Sequence, residues 1–247
     1  MKISIIIATM NAARFLGRCL NSILAQTFRD YEIIVQDGGS DDGTLEILET
    51  YSRRLEWRSG LDNGIYDAWN KALERATGGW AVFLGADDFF LSPDVLVRSR
   101  ECLERVSPCV DFVYGNLALG RDGYPSMRIA NSLVETYSKF FKGVGLPFPA
   151  TFVRMNTLKE NGFNAAYKIA GDYEFTIRCL KRGGIARLPH YVTFMEHGGI
   201  SDDPQHSGPG FAEVTRVMRE AVVPKAALIA QCCFDHLDAQ TDFRVTA

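Results

Sequence analysis

The sequence predicts an α/β fold, a mostly parallel sheet with helices on both faces, followed by a C-terminal helical segment. Two observations carry that expectation. Runs such as Ile3 to Ala8, broken only by Ser4, and Trp80 to Leu84 are apolar, as strands covered on both faces must be. Between them lie segments whose apolar residues recur every three or four positions, the spacing of one helix face. The two types alternate from the N-terminus to Tyr114, which is the pattern of strand–helix crossovers.

In order, Ile3 to Ala8 is a strand. Residues 13–26 form a helix that sets Phe15, Cys19 and Ile23 beside Leu16, Leu20 and Leu24. Tyr31 to Val35 is a strand, Thr44 to Tyr51 a helix, and Leu55 to Arg58 a short strand. Ile65 to Ala76 is a helix and Trp80 to Leu84 a buried strand. Ser92-Pro93 opens the next helix in the manner of a capped N-terminus. Val110 to Tyr114 follows as a strand. The second half is less regular. Residues 115–130 read as a hairpin turning at Asp122-Gly123. Residues 143–150 read as loop, Ala150 to Arg154 as a strand, Asp172 to Lys181 as a helix, and Tyr191 to Met195, after Pro189, as a strand. Residues 198–210 have the Gly, Pro, Ser and Asp content of a mobile loop, and 211–236 read as one helix or two broken at Pro224.

Composition excludes several classes. With 247 residues, 47 % hydrophobic and 23 % charged, the chain has the balance of a globular domain, with or without an appended segment. A net charge of −3 gives no footprint for nucleic acid. None of the six cysteines forms a Cys-x-x-Cys pair, so the chain reads as a protein of a reducing compartment, the cytoplasm. The N-terminal apolar run reads as a first strand and not as a signal peptide.

In sheets of this kind ligands sit beyond the carboxyl ends of the strands. That edge collects Thr9 and Asn11, then Asp37, then Asp87 and Asp88. Adjacent aspartates ending an apolar strand are costly unless paired or metal-bound, and hard oxygen ligands suit Mg²⁺ or Mn²⁺. The same pair also fits a polar loop before a helix cap. Asp37 opens a Gly-rich turn, Asp37-Gly38-Gly39-Ser40, that serves a ligand or merely connects strand to helix. Asp172, at a helix start, fits an N-cap or a general base. His197 stands beside a Gly-rich loop and fits a structural or a functional role.

Five segments in order resemble the family 2 glycosyltransferases of the GT-A fold, a Rossmann-like architecture. They are Ile5-Ile6-Ile7-Ala8-Thr9-Met10-Asn11, Asp37-Gly38-Gly39-Ser40-Asp41-Asp42-Gly43-Thr44, Asp62-Asn63-Gly64-Ile65-Tyr66-Asp67-Ala68-Trp69-Asn70-Lys71, Phe83-Leu84-Gly85-Ala86-Asp87-Asp88 and Gly171-Asp172-Tyr173-Glu174. The third segment is similar to bacterial members that build surface polysaccharides, including colanic-acid-type enzymes. The resemblance implies a transferase domain over 1–205, with a nucleotide-binding half (1–115), an acceptor-binding half (116–205) and a helical extension over 206–247.

It further implies that Thr9, Asn11, Asp37, Asp62, Asn70, Asp87 and Asp88 line a nucleotide-sugar pocket, with Asp37 toward the donor base. Asp87 and Asp88, joined by His197, would hold Mn²⁺ or Mg²⁺. Asp172 would be the catalytic base, and His197 and Ser201 would belong to a segment near the donor phosphates. Three positions depart from the family pattern. Gly85 stands at the first Asp-x-Asp position, Gly171 replaces the acidic residue before the base, and Trp69 replaces an arginine common before the asparagine. The activity so implied is inverting, hexosyl-type transfer from a nucleotide-diphosphate sugar, a UDP-sugar, to a hydroxyl of a saccharide or lipid-linked saccharide in polysaccharide biosynthesis. A cytoplasmic enzyme, peripheral at the inner membrane face or homodimeric, accords with it, and no nucleic acid partner is expected. The rival classes are a non-catalytic nucleotide-sugar-binding module and a metal-dependent nucleotidyltransferase.

Overall fold

A computed structural model describes residues 1–140, 142–180, 183–198 and 204–221. Its N-terminal half is built as the alternation predicts. Strand β1 (Ile3–Thr9) leads through helix α1 (Ala13–Leu24) to β2 (Tyr31–Asp37). Helix α2 (Thr44–Tyr51) leads to β3 (Glu56–Ser59), and α3 (Ile65–Leu73) to β4 (Trp80–Gly85). These strands run parallel in the order β3-β2-β1-β4. β1 is central, and its registers pair Thr9 with Asp37 and Ala8 with Gly85.

The alternation of side chains along each strand divides the core. Ile3, Ile5, Ile7, Val82 and Leu84 face one layer with Leu16, Cys19, Leu20 and Ile23 of α1. Ile6, Ile34, Ala81 and Phe83 face the other layer, with Tyr66, Trp69, Ala72 and Leu73 of α3. Both faces are covered, as the largely apolar runs require.

The second half adds strands that make the sheet mixed. It continues through the two-residue β5 (Phe89–Phe90), α4 (Val95–Leu103), β6 (Val110–Arg121) and β7 (Tyr124–Ile129). Then come α5 (Leu133–Phe140), a 3₁₀ turn at Phe148–Ala150, β8 (Thr151–Arg154), α6 (Met155–Asn161) and α7 (Gly171–Cys179). Last are β9 (Gly184–Glu196) and α8 (Pro204–Ala221). β8 joins β4 and β6 antiparallel, whereas β9 runs parallel to β6. The predicted hairpin is β6–β7, turning through Asp122 and Gly123, both in the left-handed region.

Three expectations need correction. Strand β9 extends well ahead of Tyr191. Its pairing with β6 jumps from Tyr114↔Arg187 to Asn116↔Tyr191, and this bulge takes up Pro189, which cannot donate to a ladder. Residues 204–210 are helical rather than loop, because Pro204 begins α8 with its fixed φ. Helix α6 and strand β5 are too short for periodicity to reveal, and α5 adds a helix where no element was expected. Ser201 and the expected helix beyond residue 221 lie outside the described residues. Among the described residues no helix is long and apolar enough to cross a membrane.

Trp69 belongs to the core. Its ring packs on Phe83 (4.7 Å), Phe163 (5.1 Å), Tyr66 (5.4 Å) and Phe148 (5.5 Å). It is 6 % exposed and its indole N–H is buried without an acceptor. A phosphate contact from this position, as an arginine would make, is therefore absent. Trp69→Ala should cost about 3–5 kcal/mol in urea melts. Trp69→Phe should cost no more than about 1–2 kcal/mol, because it also removes an unsatisfied donor. Equal losses in the two variants would contradict the packing assignment.

Candidate active site

Parallel pairing delivers the ends of β1, β2, β3 and β4 to one edge, where Thr9, Asp37, Ser59 and Gly85 lie in neighbouring registers. Asp37 is fully buried, and its charge is held by its own turn. Oδ2 accepts the Gly39 and Ser40 N–H groups (both 2.9 Å) and the Ser59 hydroxyl (2.6 Å). Oδ1 accepts the Ser40 hydroxyl at 2.5 Å. These bonds outweigh burial and draw its pKa below the usual 3.8. Asn11, in the left-handed region at φ 51°, links β1 to this turn: its N–H donates to Ser40 Oγ and its Oδ1 accepts the Asp41 N–H. The Thr9 hydroxyl is buried at the rim with no hydrogen-bond partner among the described residues. Asp62 accepts the Gly64 N–H at 2.9 Å, and its Oδ2 sits 2.9 Å from where a Cβ on Gly38 would stand. Gly38 is therefore needed for the approach of Asp62 to the Asp37 turn.

Past β4 a second cluster forms. Asp88 is buried; its Oδ2 accepts the Gly85 N–H (2.9 Å) and its Oδ1 the Glu196 N–H (3.3 Å). Asp87 is half-buried and accepts no hydrogen bond from another described residue. Arg18 donates to the Asp87 carbonyl (2.9 Å) and to Glu196 Oε2 (2.5 Å), with its guanidinium 4.7 Å from the Phe89 ring. The backbone N–H of Asp122 donates to the other Glu196 oxygen. Three carboxylates thus gather where one guanidinium pairs with Glu196 and meets Asp87 through its backbone carbonyl. Burial raises the pKa of both aspartates, with Asp87 adding to the rise at Asp88 and Glu196 to the rise at each.

A hard cation would relieve that excess of negative charge, and Asp87 is the carboxylate with coordination capacity to spare. The donor set therefore fits a divalent ion completed by ligands from outside the protein. His197 does not complete it. Its N–H donates to the Gly120 carbonyl and its Nε2 lies 3.2 Å from Ser126 Oγ. Among the described residues, no group of three or more His, Cys, Asp or Glu could hold a metal by itself. Gly85 also finds its reason here: a Cβ there would stand 2.6 Å from Asp87 Oδ1 and 3.0 Å from Asp88 Oδ2.

Asp172 lies in the first turn of α7, one residue inside the helix, and is not its cap. Its Oδ1 accepts the Tyr173 N–H (2.8 Å) and approaches the Tyr66 hydroxyl (3.2 Å), which also donates to the Ile169 carbonyl at 2.6 Å. Oδ2 accepts no hydrogen bond from another described residue. Burial, outweighing the hydrogen bonds, pushes the carboxyl up to about 6. Tyr66 lies in the first turn of α3, after the Asp62–Gly64 loop, so it ties Asp172 to the edge that carries the Asp37 turn. Gly171 is required by the same contact, since a Cβ would stand 2.6 Å from the Tyr66 ring.

Asn70 is not brought to the site. Its amide donates to the Phe163 carbonyl and accepts the Phe163 N–H, both at 2.8 Å, which clamps the chain after α6. Glu196, Arg18, Ser40 and Ser59 were not singled out from the sequence. Only the place of Glu196 beside His197, and of Ser40 in the Asp37 turn, offered a signal.

A Rossmann-like sheet with carboxylates gathered at the strand ends and a further one supplied by a late helix is the layout of GT-A glycosyltransferases. The family model described as glycosyl transferase family 2 matches residues 4–162, and the chain belongs to that family. It is 34 % identical over 207 residues to the PGL/p-HBAD biosynthesis glycosyltransferase of Mycobacterium bovis (strain BCG / Pasteur 1173P2), covering 81 % of this chain and 78 % of the relative. Among solved structures it is similar to S. aureus TarS 1-349 in complex with UDP. There the TM-score is 0.70 at 22 % identity, over 90 % of this chain and 66 % of that one. It is also similar to glucosyl-3-phosphoglycerate synthase from Mycobacterium tuberculosis in complex with Mn²⁺, UDP and glucosyl-3-phosphoglycerate. That match has a TM-score of 0.65 at 16 % identity, over 91 % of this chain and 81 % of that one.

The raised pKa of Asp172 has a stability consequence. A carboxyl raised from 3.8 to about 6 favours the fold fully below pH 3.8, and that contribution is lost as pH rises through about 6. Asp172→Asn keeps both bonds to Oδ1 and removes the charge. At pH 8 it should be more stable than the parent, by an upper bound of about 3 kcal/mol, with the gap closing toward pH 4. Urea melts at the two pH values measure it; a variant less stable at pH 8 would contradict the burial of this carboxylate.

Proposed function

We propose that this glycosyltransferase moves a sugar, with inversion, from a UDP-sugar to a hydroxyl of a saccharide or lipid-linked saccharide, in polysaccharide biosynthesis. The observation that carries the reading is Asp172: one oxygen is fixed by Tyr173 and Tyr66, the other accepts no hydrogen bond from another described residue, and the pKa near 6 suits a base at neutral pH. The UDP and Mn²⁺ named in the TarS and glucosyl-3-phosphoglycerate synthase complexes support the choice of donor and ion. Mannosyltransferase PcManGT from Pyrobaculum calidifontis, in complex with GDP-Man and Mn²⁺, is a further structural neighbour, with a TM-score of 0.66.

In this mechanism Thr9, Asn11, the Asp37 turn and Asp62 form the rim that receives the nucleoside. The orphaned Thr9 hydroxyl is the group there that gains a partner on binding. Asp87 would hold Mn²⁺ or Mg²⁺, which when bound supplies positive charge to the leaving diphosphate. Arg18 fixes the Asp87 backbone and Glu196 at the same time. Asp172 Oδ2 takes the proton of the acceptor hydroxyl as its oxygen attacks the anomeric carbon. A single displacement with base and leaving group on opposite sides inverts that carbon.

Thermal shift across a panel of nucleotide sugars, with and without Mn²⁺, should show stabilisation by a UDP-sugar that depends on the ion. Asp172→Asn should keep UDP affinity and lose turnover by about 10²–10⁴-fold. Turnover near the parent rate would remove Asp172 as base. Asp87→Ala should abolish the Mn²⁺-dependent part of UDP binding measured by calorimetry; identical binding with and without the ion in both proteins would remove the metal role. Diphosphate release from a nucleoside triphosphate would instead mark a nucleotidyltransferase, and UDP-sugar binding without transfer to any acceptor a binding module.

A further inference from the structure

We infer that Glu213, on α8, is a positioning residue for Asp172. Its carboxylate cradles three consecutive backbone amides just before α7. Oε1 accepts the Lys168 N–H (2.8 Å), and Oε2 accepts those of Ile169 (2.9 Å) and Ala170 (2.8 Å). Each of these amides precedes a group that the site uses. The Ile169 carbonyl receives the Tyr66 hydroxyl that also approaches Asp172. Ala170 occupies the cap position of α7, which has no side-chain cap bond. Lys168 reaches across to the Asn63 carbonyl, in the loop that carries Asp62.

The helix that bears Glu213 is itself docked on either side of it. One turn before, Gly210 faces Ile169, with only 3.2 Å between a Cβ at that position and Ile169 Cγ2. One turn after, Val217 is 3 % exposed within the core layer that contains Tyr173 and Phe175. Residues 210, 213 and 217 share one helix face. Glu213 lies beyond the span matched by the family model, residues 4–162, in the extension to which the sequence assigned no role. A carboxylate is suited to the task because it offers two oxygens with lone pairs on both, whereas a carboxamide must turn a donor toward one side of the cradle. The inference rests on the reading of Asp172 as the base.

Three variants of the full chain test it: Glu213→Gln, Glu213→Asp as the conservative form, and Glu220→Gln as a control. Glu220 is an exposed partner of Arg216 on the same helix. In Glu213→Gln, deuterium exchange in the peptide spanning 168–170 should quicken by about tenfold or more. Calorimetric affinity for UDP with MnCl₂ should stay within about twofold, because the donor rim is untouched. The stabilisation that Asp172→Asn gives at pH 8 should fall by at least about half in the Glu213→Gln background, more than loss of the Glu213 charge removes, since that charge adds the least to the raised pKa of Asp172. With a UDP-sugar that the parent turns over, kcat should drop about tenfold or more at unchanged donor KM, as expected of a misplaced base. Glu213→Asp should lie between Glu213→Gln and the parent, and it carries the test if the glutamine form does not fold. Glu220→Gln should match the parent throughout.

Parent-like exchange and no coupling in Glu213→Gln would overturn the inference, as would equal effects in Glu220→Gln. If Asp172→Asn turns over normally, the reading of the base fails. If Asp172→Asn is inactive while Glu213→Gln behaves as the parent, only the role of Glu213 fails.

Discussion

Parallel pairing of β1 with β2 on one side and β4 on the other is the constraint on which the site depends. It places Thr9 against Asp37 and Ala8 against Gly85, so residues far apart in the chain reach one edge in fixed register. Each strand must then leave the sheet for a helix on one of its faces. Backbone N–H groups are turned out at that exit, and carboxylates collect there to accept them. Asp37 shows the outcome in full: its four short bonds give the loop one conformation and keep the charge ionised although it is buried.

The second cluster departs from that economy. Asp87, Asp88 and Glu196 lie together with Arg18 paired to Glu196, and burial works against the charges of both aspartates. Asp172 repeats the conflict, with burial outweighing two bonds. A fold selected for stability alone would neutralise such groups, and that cost is the ground on which the proposed chemistry rests. The three glycines that looked like gaps in the family pattern or plain turn residues, Gly38, Gly85 and Gly171, are what allow the carboxylates and Tyr66 to come this close.

Much of this was legible in the sequence because it rests on local pattern. Largely apolar runs identified β1, β2 and β4, and three-to-four spacing identified α1 and α3. The motifs in which Asp37, Asp87 and Asp172 stand are short and contiguous. Asn70 stands within its motif, yet its amide is turned to Phe163 across the fold, which no local spacing encodes. Trp69 likewise became core because, besides Tyr66 on its own helix, the rings of Phe83, Phe148 and Phe163 from other segments surround it.

What the sequence determined by itself is therefore the strand–helix alternation, the family and the identity of the acidic residues, all written in neighbours along the chain. The tertiary structure alone decided which side chains hold those acids in place. Arg18, Glu196 and Glu213 come from α1, the end of β9 and α8. Their roles exist only through hydrogen bonds that span 178 positions in the case of Arg18 and Glu196, and 43 to 45 in the case of Glu213. Such bonds depend on the closing of the whole chain around the sheet, and a single charged residue on a helix carries no mark of the partner that it will meet.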